Sequence, residues 1–174
     1  MQKQNVKNLA LGAVMTALMC VLAPISIPLD PVPITLSVFC AFLIGLVLPG
    51  HYGLLSILVY VVLAIIGLPV CANYTGGAAV VFGPTGGYII GYFFIVLLTA
   101  MGKHTRNTWA LFAAMLGGLA LCYVFGTAWF MISTGNPLWI SLSWCVLPFI
   151  PFDVAKGAAS LALVRLLQMR GVAI

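Results

Sequence analysis

Two side chains combine charge with a spacing that supports chemistry. Asp153 and Lys156 lie in Leu147-Pro148-Phe149-Ile150-Pro151-Phe152-Asp153-Val154-Ala155-Lys156, where a helix is expected to begin. Residues at i,i+3 share one helical face. A carboxylate there offers acceptors, and an ammonium offers three donors. A charge at membrane depth costs roughly 2.5 to 17 kcal/mol on competing scales, so such groups face a cavity or a partner. The pair therefore reads either as a ligand clamp or as a self-neutralising structural pair at a helix end. The chain contains no Glu and only two acids, Asp30 and Asp153. An acid inside a membrane helix is thus not background, which favours the clamp.

A second polar segment, Asn73-Tyr74-Thr75-Gly76-Gly77, is expected on the same side of the membrane. The Asn73 amide both donates and accepts. With Asp153 and Lys156 it suits a small ligand with a polar head, neutral or anionic. Tyr74, Phe82, Tyr88, Trp139, Trp144, Phe149 and Phe152 are candidate apolar walls, or members of an interfacial aromatic belt.

Other chemistries find no motif. There is no G-x-x-x-x-G-K-[ST], since Gly102-Lys103-His104 does not complete one, and no H-E-x-x-H or G-x-S-x-G. Cys20, Cys40, Cys71, Cys122 and Cys145 lack metal-type spacing. They read as small apolar fillers, with a Cys71–Cys145 disulfide as the open alternative. His51 and His104 fall in loops. No metal, cofactor, catalytic residue or nucleic-acid partner is expected.

The elements that must position the pair follow from the rest of the chain. Of 174 residues, 64% are hydrophobic and 5% charged, with net charge +5. Too little charge remains to coat a soluble surface. Residues 8–29, 31–102 and 107–152 carry no Asp, Glu, Lys or Arg. About 20 helical residues cross a hydrocarbon core of about 30 Å, so the middle stretch holds several crossings. Alternating polarity is absent, which leaves helices rather than a barrel.

Punctuation by Pro, Gly and Asn predicts a single all-α transmembrane domain over residues 1–174. Its six spans fall at about 6–25, 34–48, 52–68, 86–102, 109–133 and 146–167. With both termini cytoplasmic, Lys3, Lys7, Lys103, Arg106, Arg165 and Arg170 all fall inside. The outer loops, at about 25–33, 69–85 and 134–144, hold no Lys or Arg, as the positive-inside rule requires. The first helix is read as uncleaved, because Leu18-Met19-Cys20 sets a large residue before the cysteine. It also carries a small-residue face, Ala10, Ala13 and Ala17, that permits close helix approach; Gly87 and Gly91 form another.

Pro31-Val32-Pro33-Ile34-Thr35-Leu36, Gly67-Leu68-Pro69-Val70, Gly83-Pro84-Thr85-Gly86-Gly87-Tyr88 with Gly91, and Leu147-Pro148-Phe149-Ile150 before Asp153 and Lys156 occur in that order. The sequence thereby resembles BioY proteins, the biotin-specific S components of energy-coupling factor (ECF) transporters, over about residues 8–170. The resemblance implies a six-helix S component in a prokaryotic plasma membrane that captures biotin near the outer face. Asn73, Asp153 and Lys156 would contact the vitamin, and Thr85 and Tyr88 of the glycine-rich motif would join them. The first outer loop and the Asn73 loop would cap the pocket.

It further implies docking through Ala13 and Ala17 onto a coupling transmembrane subunit that joins two ATPases. The S component would then topple in the membrane to present its site inward. Family members usually read Thr-Leu-Gln where this chain has Thr35-Leu36-Ser37. Biotin's ureido ring has two N–H donors and one carbonyl. Asp153 would accept from the former while Lys156 donates to the latter; alternatively Lys156 neutralises the valerate carboxylate. The competing reading is a self-sufficient or proton-coupled carrier that uses Asp153 and Lys156 as a relay.

Overall fold

A computed structural model describes residues 2–27, 32–105 and 107–171. Asp30 and Pro31 of the first outer loop, and Arg106, lie outside the described residues. The chain forms α1 (Gln2–Leu22), β1 (Ser26–Ile27), β2 (Ile34–Thr35), α2 (Ser37–Val47) and α3 (Gly50–Ile65). A 3-10 turn (Ala72–Tyr74) and a short α4 (Ala78–Val81) follow. Then come α5 (Gly86–Gly102), α6 (Thr108–Thr134), α7 (Leu138–Cys145) and α8 (Ile150–Met169).

Helix ends fall where local chemistry stops the ladder. Leu48 is extended (ψ 150°) ahead of Pro49, as the proline ring demands, and this separates α2 from α3. Past α3, Gly67 takes φ +99°, which a side chain resists. Asn107 caps α6 by accepting from Trp109 N–H at 2.9 Å. Gly135, at φ +72°, ends it by donating to Met131 O at 2.8 Å.

Helix α2 is buried along nearly its whole length because it is apolar on every side. Around it pack α1, α3, α5 and α8, while α6 lies along α5. Glycines bring α5 and α6 together. A Cβ on Gly91 would stand 2.5 Å from Cys122 Sγ, and one on Gly118 would stand 2.9 Å from Ile95 Cα. The Gly87/Gly91 face thus serves internal packing.

Helices α1, α2, α3, α5, α6 and α8 overlap the six expected segments, with shifted ends. Two helices, α1 and α6, are long and apolar enough to cross a membrane by themselves; α7 and α8 pass that test as a pair bent by 46°. The apolar α2, α3 and α5 are shorter, and α2, at 11 residues, rises only about 17 Å. The expected loop at 134–144 is instead largely α7, whose eight residues are too few to register as a span. The first outer loop pairs with itself, Ser26 facing Thr35 and Ile27 facing Ile34, antiparallel. All five cysteines are free thiols, so no Cys71–Cys145 bond forms.

Candidate ligand site at the amino ends of α2, α5 and α8

Asp153 lies in the first turn of α8, where a carboxylate complements the helix dipole. It is 2% exposed. Its Oδ1 accepts from Lys156 Nζ at 2.7 Å and its Oδ2 from the Tyr123 hydroxyl at 2.7 Å. A buried carboxylate with two donors is satisfied where a bare one would not be. The two residues expected to act together are therefore in direct contact, and both edge a small cavity of about 60 Å³ between α5, α6 and α8.

A larger cavity of about 240 Å³ adjoins it, with Pro33, Thr35, Tyr88 and Tyr92 bordering both. Asn73 and Thr85 line this second compartment. The expected residues thus divide: Asp153 and Lys156 on one side, Asn73 and Thr85 on the other, and Tyr88 between them. The Tyr88 hydroxyl meets Thr127 Oγ1 at 3.0 Å. Its ring lies where α6 has no side chain, since a Cβ on Gly126 would stand 2.2 Å from Tyr88 Cδ1.

Asn73 is held in the left-handed region, φ +55° and ψ 32°, a conformation Asn tolerates better than most residues. The turn is tied to the first outer loop. Ser26 Oγ donates to Asn73 Oδ1 at 2.7 Å, and Asn73 N–H donates to Ser26 Oγ at 3.1 Å. Among the described residues the Asn73 side-chain N–H₂ group makes no hydrogen bond, which leaves donors for a ligand acceptor.

Sequence reasoning missed Tyr123, Tyr92 and the role of Ser37. The Ser37 hydroxyl shares hydrogen bonds with the hydroxyls of Thr35 and Tyr92, the latter at 2.7 Å. Ser37, already notable for replacing a glutamine, thereby joins a chain of hydroxyls bordering the larger cavity. Tyr123 and Tyr92 carry no local signal, because their roles depend on which face of α6 and α5 turns inward. Among the described residues no cluster of His, Cys, Asp and Glu is arranged to hold a metal.

Ala13 and Ala17 line neither of these cavities. Both are exposed on α1, beside Gly12 and Thr16, which are buried against α3. Thr16 Oγ1 donates to Gly12 O at 3.0 Å and is 3.2 Å from Ser56 O, so the inner face of α1 is tied down while the alanine face is left bare.

A model of the BioY family matches residues 1–171. A protein described as a probable biotin transporter BioY from Pyrococcus horikoshii is 38% identical, over 93% of this chain and 96% of that one. The biotin transporter BioY of Thermotoga maritima is 37% identical, over 94% and 97%. In three dimensions, a crystal structure of the S-component for biotin from an ECF-type ABC transporter superimposes with a TM-score of 0.86 at 33% identity, covering 97% of this chain and 94% of that one. The chain is a helical membrane protein and belongs to the BioY family.

Proposed function

We propose that this chain captures biotin and delivers it across the membrane as the S component of an ECF-type transporter, with ATP hydrolysed by partner subunits. The observation that carries the reading is a buried Asp153 held by Lys156 and Tyr123 at the edge of a cavity that continues to Asn73. Asp153 accepts the ureido N–H groups, and Asn73 donates from across the Tyr88 boundary. Tyr88 borders the passage between them, and Thr85 lines the Asn73 compartment. Lys156, whose side chain is 13% exposed, either donates to the ring carbonyl or neutralises the valerate carboxylate.

A buried polar site of this kind discriminates strongly, because an analogue that fails to pair leaves its groups unsatisfied. The chain acts as a binding subunit, not an enzyme, and sits as one six-span domain in a prokaryotic plasma membrane with both ends inside. Segregation of Lys and Arg supports that orientation. Coupling to the transmembrane partner and its two ATPases runs through the bare Ala13/Ala17 face.

The test is titration of biotin into purified protein by calorimetry. Tight, stoichiometric binding supports the reading; absence of binding by folded protein overturns it. Uptake by the chain alone in proteoliposomes, driven by a proton gradient, would favour the self-sufficient carrier instead.

A further inference from the structure

At the opposite ends of α2, α5 and α8 from Asp153, the surface opens into a further polar cavity, with Thr105, Arg165 and Gln168 exposed at its rim and Lys103 half-buried. It is about 320 Å³ in volume and is bordered by Lys103, Thr105, Arg165 and Gln168 against an apolar wall of Leu46, Leu111 and Leu161. We propose that this cavity binds a phosphate ester, supplied by the headgroup of an anionic phospholipid.

Three observations converge. The charge is of one sign: the only acid among the described residues is Asp153, twelve residues before Arg165 on α8 and occupied by Lys156. At about 1.5 Å per residue that is roughly 18 Å away. The donors are positioned. Lys103 Nζ donates to Leu48 O, which holds the ammonium at the cavity, and Arg165 Nη2 donates to Thr108 Oγ1 at 3.0 Å. A guanidinium so held keeps further N–H groups for a phosphate. Finally, half-burial lowers the Lys103 pKa below its ordinary value, with desolvation as the cause; a bound anion would offset that penalty.

The apolar wall argues for a lipid over a free phosphate. A soluble anion has no use for Leu46, Leu111 and Leu161, whereas a headgroup arrives with glycerol carbons attached. Basic pockets between helices at a membrane face are suited to such headgroups.

The test uses purified full-length protein in a neutral detergent, offered phosphatidylglycerol or phosphatidylcholine at equal concentration, with retained lipid read by native mass spectrometry. The expected result is preferential retention of phosphatidylglycerol, falling about fivefold on loss of one basic group in Arg165→Gln and again in Lys103→Gln. Equal retention of the two lipids by the unaltered protein overturns the proposal whatever the variants do. So does undiminished retention by a folded Arg165→Gln variant. Displacement of the lipid by an equal concentration of inorganic phosphate overturns the lipid source. Loss of assembly with the coupling subunit in Arg165→Gln, with lipid retention unchanged, would assign the cavity to an acidic protein partner and sink the lipid reading.

Discussion

Tyr123 of α6 and Lys156 of α8 hold the two oxygens of one carboxylate. The tyrosine hydroxyl donates to Asp153 Oδ2 and the ammonium to Oδ1, each at 2.7 Å. The charge is thus fixed from two helices before any ligand arrives. Tyr123→Phe removes one donor without changing shape. A hydrogen bond to a charged group contributes about 1.5–3 kcal/mol, so biotin affinity should fall by about 10- to 100-fold in calorimetry. Unchanged affinity would reduce Tyr123 to a bystander.

Breaking the ion pair from one side has a different signature. Asp153→Asn removes the ligand acceptor and strands the Lys156 ammonium in a largely buried site. Breaking a buried pair costs about 3–5 kcal/mol, so both biotin binding and thermal stability should drop. The double variant Asp153→Asn with Lys156→Met should recover most of the stability and none of the binding. Recovery of binding in the double variant would show that the pair is structural only.

Gly126 makes room for Tyr88, so it reaches the site indirectly. Gly126→Ala places a methyl against the Tyr88 ring, 2.2 Å from Cδ1 before relaxation. Overpacking of this kind costs about 1–3 kcal/mol. The ring borders both cavities, so affinity for biotin should fall along with melting temperature. A stability loss with full affinity would place Tyr88 outside the site.

Two neighbouring glycines on α6 give an internal control. A Cβ on Gly118 meets Ile95 Cα at 2.9 Å, whereas the nearest atom to one on Gly117 is Leu98 Cδ1 at 3.6 Å. Gly118→Ala should destabilise by about 1–3 kcal/mol. Gly117→Ala should gain up to about 1 kcal/mol from helix propensity. Thermal unfolding in one detergent decides both, and equal effects would contradict the described α5–α6 contact.

Docking is tested on α1. Ala13→Trp or Ala17→Trp projects from the bare face and should abolish uptake in cells that carry the coupling subunits. Biotin binding by the purified variant should remain within about twofold, since Ala13 and Ala17 line neither cavity of the Asp153 cluster. Joint loss of uptake and binding would overturn the docking assignment.

Asp153 and Lys156 were legible from the chain alone because charge in lipid is costly and this sequence has almost none to spare. Helices α1, α3, α5 and α6 were legible for a related reason: backbone groups in hydrocarbon must bond within their own segment, so Pro49, Gly67 and Gly135 mark their ends. Asn73 stood out as the amide of a polar, glycine-rich segment; the resemblance added Thr85 and turned Tyr88 from a wall into a ligand-site candidate. Other features had no such signature. Tyr123 sits in an apolar run and looks like any wall residue. Helix α7 is too short to register against a membrane thickness, and Ser37 is one hydroxyl among several. Periodicity and charge determine which segments enter the bilayer and which polar groups stand out there. Only the packing of α6, on α5 through glycines that let the backbones approach and on α8 beyond, decides that the Tyr123 hydroxyl meets the Asp153 carboxylate. That contact depends on helix rotation, which a nearly uniform apolar sequence does not encode.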